Sequence, residues 1–465
     1  MTVMALPPDL YVLQPQQSSR INRFCKNFRC LAHACMLGLG ALLLTGAARA
    51  CPDLTSFYAA GQADWPAAEV RLLGIMGECL DNAEYFALLG AAQMNNGNVG
   101  ESLESLERAL LLDPGNGAAQ IDYAQALFLQ GELFAALAMN GQLLQRPDLP
   151  TSLQPALRQR QERWQQLTRQ RTLQLDVLAG YDNNLNSAPE PGQITLTLSG
   201  EPVVLELNPE FKPRSGPYAN FRLGGRFRQL APSHQHNWLI EARGRSSEDK
   251  ESDLLQLDTR YAFVRPDRLH SWQLEAGMSH LFFGGSPLYT ATELGGRYLP
   301  RGGNRCQPFY SLEMQHQFFH DQTRLNALES KAALGRYCPF NGGLGPQQLG
   351  FELGLLNNLS LKDGRAGGDR LGWQANLNWQ LRLPRGELLS QLSHTRLRDS
   401  KAYSPLLANG ARRWLERSYL LVQYRRPLGP ATRLLINLFH QNQSSNIELF
   451  RSIDTTFEVG LSLTF

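Results

Sequence analysis

After residue 50 the sequence has no apolar run of about 20 residues, the length that a helix needs to cross a bilayer. A mean hydropathy of -0.31 agrees with this, and together they exclude a bundle of membrane helices. Charged residues are also scarce, at 19% of the chain, where about a quarter is usual. Apolar and aromatic residues are nevertheless spread along all 465 residues, which excludes a long disordered tail. The length favours two or three domains.

A strong charge of either sign is also missing. The net charge is +3, but the first fifty residues carry five basic residues and one acid. The rest of the chain holds 40 basic residues against 41 acidic ones. A chain this close to neutral gives no reason to expect nucleic acid as a partner.

Motifs of catalysis and cofactor binding are absent from the sequence as well. There is no GxSxG, no HExxH and no CxxC, and the nine histidines are scattered. We therefore expect no enzyme activity, no cofactor and no metal site.

The first fifty residues are typical of a secretory signal peptide. A basic region at 20–29 precedes a short apolar stretch at 31–45. The small residues Ala48 and Ala50 then occupy the two positions that a signal peptidase recognises, which predicts cleavage before Cys51.

Two other interpretations of this segment stay open. One is a membrane anchor, although the apolar stretch is short for a bilayer. The other is lipidation of Cys51, because a lipoprotein cleavage box also ends in cysteine. That box requires leucine three residues before the cysteine, where Ala48 stands.

Cleavage would leave four cysteines, an even number that predicts two disulfides in an exported protein. Four cysteines allow three pairings, and the positions favour Cys51 with Cys79 and Cys306 with Cys338. The second pair is symmetric about Gln322, which would place its members opposite each other in an antiparallel hairpin.

Residues 51–171 are predicted to form a helical repeat. Two segments align at a spacing of 34 residues, with Gly97 matching Gly131 and Ala92 matching Ala126. This period, with its small residues and a proline at the end, resembles a tetratricopeptide repeat (TPR). Such a region is either a plain scaffold or a concave surface that binds a partner protein.

The periodicity changes at about residue 172, and residues 172–465 are predicted to form a membrane barrel. In the segment 372–383, GWQANLNWQLRL, apolar and polar residues alternate over a length that suits a tilted membrane strand. The predicted strands are 172–181, 217–229, 237–247, 254–265, 270–283, 289–299, 306–319, 325–338, 348–361, 370–383, 387–398, 414–426, 432–443 and 455–465. Short turns alternate with longer loops, which predicts short periplasmic turns and long outer loops, with 320–324 as a short exception.

The last predicted strand is similar to the C-terminal signal that the outer-membrane barrel assembly machinery recognises. The residues of that signal are Glu458, Gly460, Leu463 and Phe465. The inward side chains of the barrel are polar and rich in arginine. They favour internal ion pairing, and a path for polar or acidic cargo is the other possibility.

Two short stretches resemble motifs of a known family. Residues 180–189, GYDNNLNSAP, are similar to the stretch GYD(D/N)NxNxAP, and residues 445–450, SNIELF, are similar to an SNIxLY element. Both occur in the surface lipoprotein assembly modifiers (Slam), which join a TPR domain to an outer-membrane barrel. The matching residues of the first stretch are Gly180, Tyr181, Asp182, Asn183, Asn184 and Asn186.

The resemblance implies a Gram-negative outer-membrane protein that delivers lipoproteins or related secreted proteins from the periplasm to the cell surface. Its implied partners are such a client, outer-membrane lipids and the assembly machinery, with the helical region in the periplasm engaging the client or another protein. Two alternatives stay open, a TPR-bearing porin for exopolysaccharide export and a diffusion porin. The first usually has longer repeat arrays, and the second would not need a helical region.

Overall fold

In the computed structural model, residues 50–59, 64–267, 269–300 and 306–465 are described. The predicted signal segment, with Ala48, lies outside these residues. The described chain has a helical part followed by a closed barrel of fourteen antiparallel strands, which confirms the predicted fold class.

Seven α-helices precede the barrel. They are α1 (Thr55–Ala59), α2 (Trp65–Gly74), α3 (Ala83–Asn95), α4 (Val99–Leu112), α5 (Gly117–Leu129), α6 (Leu133–Leu144) and α7 (Gln154–Leu167). The side chains of Asn82 and Asn116, 34 residues apart, accept hydrogen bonds from Tyr85 N and Ala119 N and so cap α3 and α5. None of the helices in the described residues is long and apolar enough to span a membrane.

The helices α3 and α4 pack closely because Gly90 has no side chain. A Cβ atom at Gly90 would lie 2.5 Å from Leu106 Cγ, and the Ser102 hydroxyl donates to Gly90 O at 2.7 Å. The chain turns between helices at Gly97 and Gly131, where φ is 85° and 93°, a conformation that favours glycine. These features occur at the predicted spacing, and the assignment as a TPR stays a prediction.

Each predicted barrel strand has a counterpart in the structure. The strands of the barrel are β1 (Arg169–Asp182), β4 (Gly216–Leu230), β5 (Gln235–Ser247), β6 (Leu254–Pro266), β7 (His270–Phe283), β8 (Ser286–Pro300), β9 (Gln307–Phe319), β10 (Ala327–Gly342), β11 (Gly345–Ser360), β12 (Arg370–Leu383), β13 (Gly386–Ala402), β14 (Arg412–Pro427), β15 (Thr432–Ser445) and β16 (Ser452–Thr464). Each pairs with its neighbours in sequence, and β1 closes the ring on β16.

The two faces of the barrel wall carry opposite chemistry. Large apolar side chains that remain exposed on the outside include Val177, Phe221, Leu257, Leu274, Leu294, Leu312, Leu353, Leu377, Leu392, Leu438 and Leu461. Buried polar side chains on the inside include Asp176, Glu241, Gln256, Gln273, Ser311, Lys331, Asn376, Gln391 and Ser462. An apolar outside, a polar inside and a closed, even-stranded ring together define an outer-membrane type of barrel.

The connections differ between the two ends of the barrel. At the end named here the turn end, they include residues 231–234, 343–344, 384–385 and 428–431, and β6 and β7 as well as β8 and β9 are joined at this end too. At the opposite end, the loop end, they are 183–215, 248–253, 284–285, 320–326, 361–369, 403–411 and 446–451.

Two details at the loop end differ from the sequence prediction. The connection predicted as the short exception, 320–324, spans residues 320–326, and the Gly284–Gly285 turn, where both residues have positive φ, is shorter. The segment 183–215, predicted as a plain connection, holds a hairpin of β2 (Gln193–Leu198) and β3 (Glu201–Glu206). Its alternation is too short to distinguish from a loop by sequence alone.

Both predicted disulfides are present. Cys51 bonds to Cys79 with a Cα–Cα distance of 4.7 Å, and Cys306 bonds to Cys338 with 4.1 Å. Gln307 pairs with Tyr337 in the β9–β10 ladder, so the cysteines extend the same register toward the turn end, as predicted. A thiol held in a disulfide is not available for lipidation.

Candidate functional site

The stretch 180–189 forms a closed turn at the loop end of β1. Asp182 Oδ1 accepts a hydrogen bond from Asn184 N at 2.7 Å. Asn184 in turn accepts from Ala188 N at 2.9 Å and donates to Ala188 O at 3.0 Å. Asp182 and Asn184 are fully buried. The Asp/Asn-rich sequence therefore supplies side-chain partners to backbone groups that have left the strand ladder.

An arginine from β5 closes this turn. Arg245 Nη1 donates to Asp182 Oδ2 at 3.0 Å, and its Nη2 donates to Leu185 O at 2.7 Å and Ser252 O at 3.0 Å. The ion pair matters because the Asp182 carboxylate is removed from solvent. Sequence reasoning missed Arg245, although an inward arginine at the loop end of a strand was the available signal.

The second motif stretch fixes a different pair of strands. Asn446 Oδ1 accepts from Trp414 N at 3.0 Å, and Asn446 Nδ2 donates to Arg412 O at 3.0 Å. Ile447 beside it is buried. Asn446 therefore continues the β14–β15 ladder with its side chain.

The first motif stretch contacts the residues that directly follow the second one, although about 265 residues separate the two stretches in the sequence. Asn184 Nδ2 donates to Ile453 O at 3.1 Å, and Thr455 N donates to Asn183 Oδ1 at 2.7 Å. A third bond runs from Glu190 N to Arg451 O at 2.8 Å. We call the contact between residues 180–190 and 445–455 the motif junction; it lies at the loop end of the β1–β16 seam.

The β2–β3 hairpin links the motif junction to a neighbouring loop. Thr195 N donates to Glu448 Oε2 at 2.9 Å. Farther along β2, Thr197 N donates to Leu406 O at 2.8 Å, and Leu196 forms an isolated bridge with Leu407. The hairpin thereby links the segment 183–215 to the loop 403–411. Together with the bond to Glu448, this connects three loops into one rim beside the β1–β16 seam.

Below the junction, a glycine lets three strands share one carboxylate. Glu458 of β16 accepts from Tyr218 Oη at 2.7 Å and Asn220 Nδ2 at 2.8 Å, both on β4, and from Asn437 Nδ2 at 2.9 Å on β15. These bonds cross β1 at Gly180, where a Cβ atom would lie 2.9 Å from Glu458 Cγ and from the Tyr218 ring. Glu458, predicted only as an assembly signal, is thus a clamp across the barrel seam.

The other residues of the predicted assembly signal line the same seam. A Cβ atom at Gly460 would lie 2.0 Å from Val177 O, so the close approach of β16 to β1 requires glycine there. Leu463 pairs with Leu175, and Phe465 exchanges backbone hydrogen bonds of 2.8 and 3.1 Å with Leu173. The Phe465 ring is exposed, at 73%. The role of these residues in assembly stays a prediction.

Ion pairs cross the lumen wall, and Lys331 is at their centre. Lys331 Nζ lies 3.1 Å from Glu313 Oε2 and 3.0 Å from Glu352 Oε1, and Lys331 is only 5% exposed. Arg222 similarly lies 2.7 Å from Glu241. The predicted internal pairing of the lumen therefore occurs, and these pairs brace neighbouring strands.

A cavity of about 160 Å³ near the turn end has a different character. Its lining includes Asp176, Arg226, Arg425, Arg433 and Trp379. Among the described residues, Arg226 and Arg433 form no ion pair, so basic charge faces this space. No group of three metal-binding side chains occurs in the described part of the chain.

Comparisons with known proteins identify no family. No family model matches the chain, and neither does any curated protein. An anion-selective porin from Comamonas acidovorans is 13% identical, covering 64% of this chain and 99% of its own with a TM-score of 0.35. The outer membrane channel DcaP of Acinetobacter baumannii is 10% identical (64% and 98%, TM-score 0.38), and CdiB from Acinetobacter baumannii is 12% identical (63% and 60%, TM-score 0.33). At these values the likeness assigns no function.

Proposed function

We propose that the chain is an outer-membrane translocator that delivers lipoproteins or related secreted proteins from the periplasm to the cell surface. The helical region engages the client or a periplasmic partner. The observation that carries this proposal is the motif junction. There the two stretches that resemble Slam proteins lie side by side at one place on the barrel, and the first is bonded to the residues that directly follow the second. This arrangement favours a shared task over a chance match of two short sequences.

The attachment of the helical region also supports the proposal. Helix α7 ends at Leu167 and β1 begins at Arg169, so a single residue separates them. That residue, Thr168, accepts a hydrogen bond from Leu230 N at 2.8 Å. A helical region held this closely at the turn end of β1 is positioned to present a protein to the barrel, and a long linker would not do so.

The proposal requires the turn end to face the periplasm. Two exposed leucines at opposite ends offer a matched pair for a topology test: Leu406 in the loop 403–411 and Leu428 in the turn 428–431. The four cysteines of the described chain are all in disulfides, so a new thiol is the only one available there. On intact cells, a membrane-impermeant maleimide should label Leu406→Cys and not Leu428→Cys; the reverse would overturn the orientation.

The function itself is tested by surface biotinylation of intact cells, followed by identification of the labelled proteins. Three strains are compared: with the full chain, without it, and with a variant lacking the helices from Thr55 to Leu167. We expect at least one lipoprotein or secreted protein to lose surface labelling without the chain, while its total amount is unchanged. The helix-deleted variant should form a heat-modifiable barrel that does not restore labelling.

Other outcomes would favour the alternatives. If no protein changes its exposure and the uptake of small solutes falls instead, the chain is a diffusion porin. If surface polysaccharide disappears, it is an export porin. Full delivery by the helix-deleted variant would place client recognition in the barrel.

A further inference from the structure

A cluster of arginines at the loop end has more positive charge than its acid can neutralise. We call Arg365, Arg370 and Arg413, with Asp399 between them, the loop-end arginine cluster. Arg370, Asp399 and Arg413 lie in the last few residues of β12, β13 and β14 at the loop end, and Arg365 is in the loop 361–369. The positions 370, 399 and 413 continue the inward face of these strands, so the cluster faces the mouth of the lumen.

The single carboxylate is already fully used. Arg413 donates two hydrogen bonds to Asp399, at 3.1 and 3.2 Å, and Arg370 Nε lies 3.5 Å from Asp399 Oδ1. The guanidinium of Arg413 also lies over the rings of Tyr403 and Phe450, at 4.4 and 4.3 Å. Asp399 and Arg413 are each 3% exposed. The pair is therefore fixed on all sides.

Arg365 forms no ion pair within the described part of the chain. It is 8% exposed, and neither Nε nor Nη1 has a hydrogen-bond partner among the described residues. Asp369 and Glu329 are the other nearby acids, and neither forms an ion pair with it. Burial lowers the pKa of Arg365, yet a guanidinium remains protonated in proteins. The nearest acid, Asp399, already pairs with Arg413, so Arg365 is a buried cation whose charge is incompletely balanced, which is unfavourable.

The loop is built to hold Arg365 in this place. Gly367 lies so close to Asp399 that a Cβ atom would be 2.0 Å from Oδ2, and its φ of 80° favours glycine. Backbone bonds from Lys401 N to Gly367 O, at 3.0 Å, and from Ser400 N to Asp369 O, at 2.8 Å, fasten the loop to the end of β13. The position of Arg365 is therefore a product of the packing of its loop.

We propose that the loop-end arginine cluster is a binding site for an oxyanion, a phosphate or a carboxylate group, which pairs with Arg365. Guanidinium groups donate charge-assisted hydrogen bonds to both, and the free Nε and Nη1 atoms of Arg365, on two different edges of the group, each supply a donor. This anion site is independent of what crosses the barrel. The group comes either from a soluble anion or from the phosphates of lipopolysaccharide.

The test is a titration of the full-length protein, freed of lipopolysaccharide, with inorganic phosphate at constant ionic strength. Binding is measured by calorimetry and by the rise in unfolding temperature. We expect wild-type protein to bind and Arg365→Gln to lose at least about tenfold in affinity. Arg398→Gln is the matched control, since Arg398 precedes Asp399 on the opposite, exposed face of β13, and its affinity should equal the wild-type value.

The proposal is overturned if the wild type binds neither phosphate nor, in a parallel titration with a carboxylate probe, glutamate. It is also overturned if Arg365→Gln and Arg398→Gln bind phosphate with the same affinity. Should Arg365→Gln fail to fold, Asp399→Asn decides, because removing the competing carboxylate must tighten phosphate binding. Unchanged or weaker binding there counts against the site. Added lipopolysaccharide distinguishes the sources: competition with phosphate assigns the lipid, and its absence assigns a soluble anion.

Discussion

The helical region and the barrel bury opposite side chains. In the helical region most buried residues are apolar, with Tyr85, Leu89 and Leu106 among the largest. In the barrel wall the buried residues include Asp182, Lys331 and many amides, while leucines cover the outside. The hydrophobic effect stabilises the helical region, whereas hydrogen bonds and ion pairs around a polar lumen stabilise the barrel wall. One chain thus depends on two different kinds of interior, and different substitutions should destabilise each of them.

The largest effect should come from Lys331→Met in the barrel. Its removal leaves Glu313 and Glu352 facing each other without a cation, and breaking a buried ion pair costs about 3–5 kcal/mol. Urea-induced unfolding in lipid vesicles measures this free energy. Lys362→Met, in the exposed part of the loop 361–369, should behave as wild type. Equal stability of both variants would mean that the ion pairs do not hold the barrel wall.

The matching test in the helical region is Leu106→Ala. Leu106 is fully buried against Gly90, and truncation of a buried leucine costs about 2–5 kcal/mol. The helical transition of the full-length protein, followed by circular dichroism, should shift to lower temperature while the barrel remains heat-modifiable. Leu111→Ala changes a leucine that is 77% exposed and should have little effect. A loss of barrel stability with Leu106→Ala would contradict the independence of the two interiors.

A smaller effect is expected for Glu458→Gln at the seam clamp. The carboxylate accepts three side-chain hydrogen bonds, and an amide keeps part of them, so a loss of about 1.5–3 kcal/mol is expected. The urea midpoint of the folded barrel reports it. The control is Glu416→Gln, whose partner Arg396 is half exposed, and such a pair contributes under about 1 kcal/mol. If both variants lose equally, the clamp has no special role.

The smallest effect should appear in the pH dependence of the helical region. Burial raises the pKa of Asp122 to about 6, and Arg160 partly opposes this. Because the folded value exceeds the ordinary 3.8, the stabilising contribution is complete below pH 3.8 and is lost as pH rises through about 6. Asp122→Asn should remove this pH dependence of the free energy of unfolding. The change should be less than about 1 kcal/mol, because Asp122 is half-buried. An unchanged slope would assign it to another group.

The sequence predicts the barrel well for a physical reason. Lipid outside and water inside impose strict alternation on each strand, and the symmetry of Cys306 and Cys338 about Gln322 gave the register of one hairpin. The β2–β3 hairpin was not predicted, because a loop outside the barrel wall does not separate lipid from the lumen and so has no imposed alternation.

The candidate site could be predicted only in part. The motif residues Asp182 and Asn184 were identified, but their partners Arg245 and Ile453 come from distant parts of the chain. Arg365 gave no signal at all, since its isolation depends on how Gly367 packs against Asp399. Whether a side chain faces the lumen or the lipid follows from its odd or even position along the strand. Which side chains contact each other across the lumen depends on how the strands close into a ring, and this cannot be deduced from one strand alone.

The two-residue turn at Gly284–Gly285 gives the mouth of the barrel a direction. The motif junction and the β2–β3 hairpin extend the rim beside the β1–β16 seam, and in the ring order five strands separate this seam from the β7–β8 turn. Gly284 N donates to Asp253 O at 2.9 Å, so the β7–β8 turn is bonded to the neighbouring connection between β5 and β6. The mouth of the lumen is therefore asymmetric, with the longest connection beside the seam and the shortest one between β7 and β8.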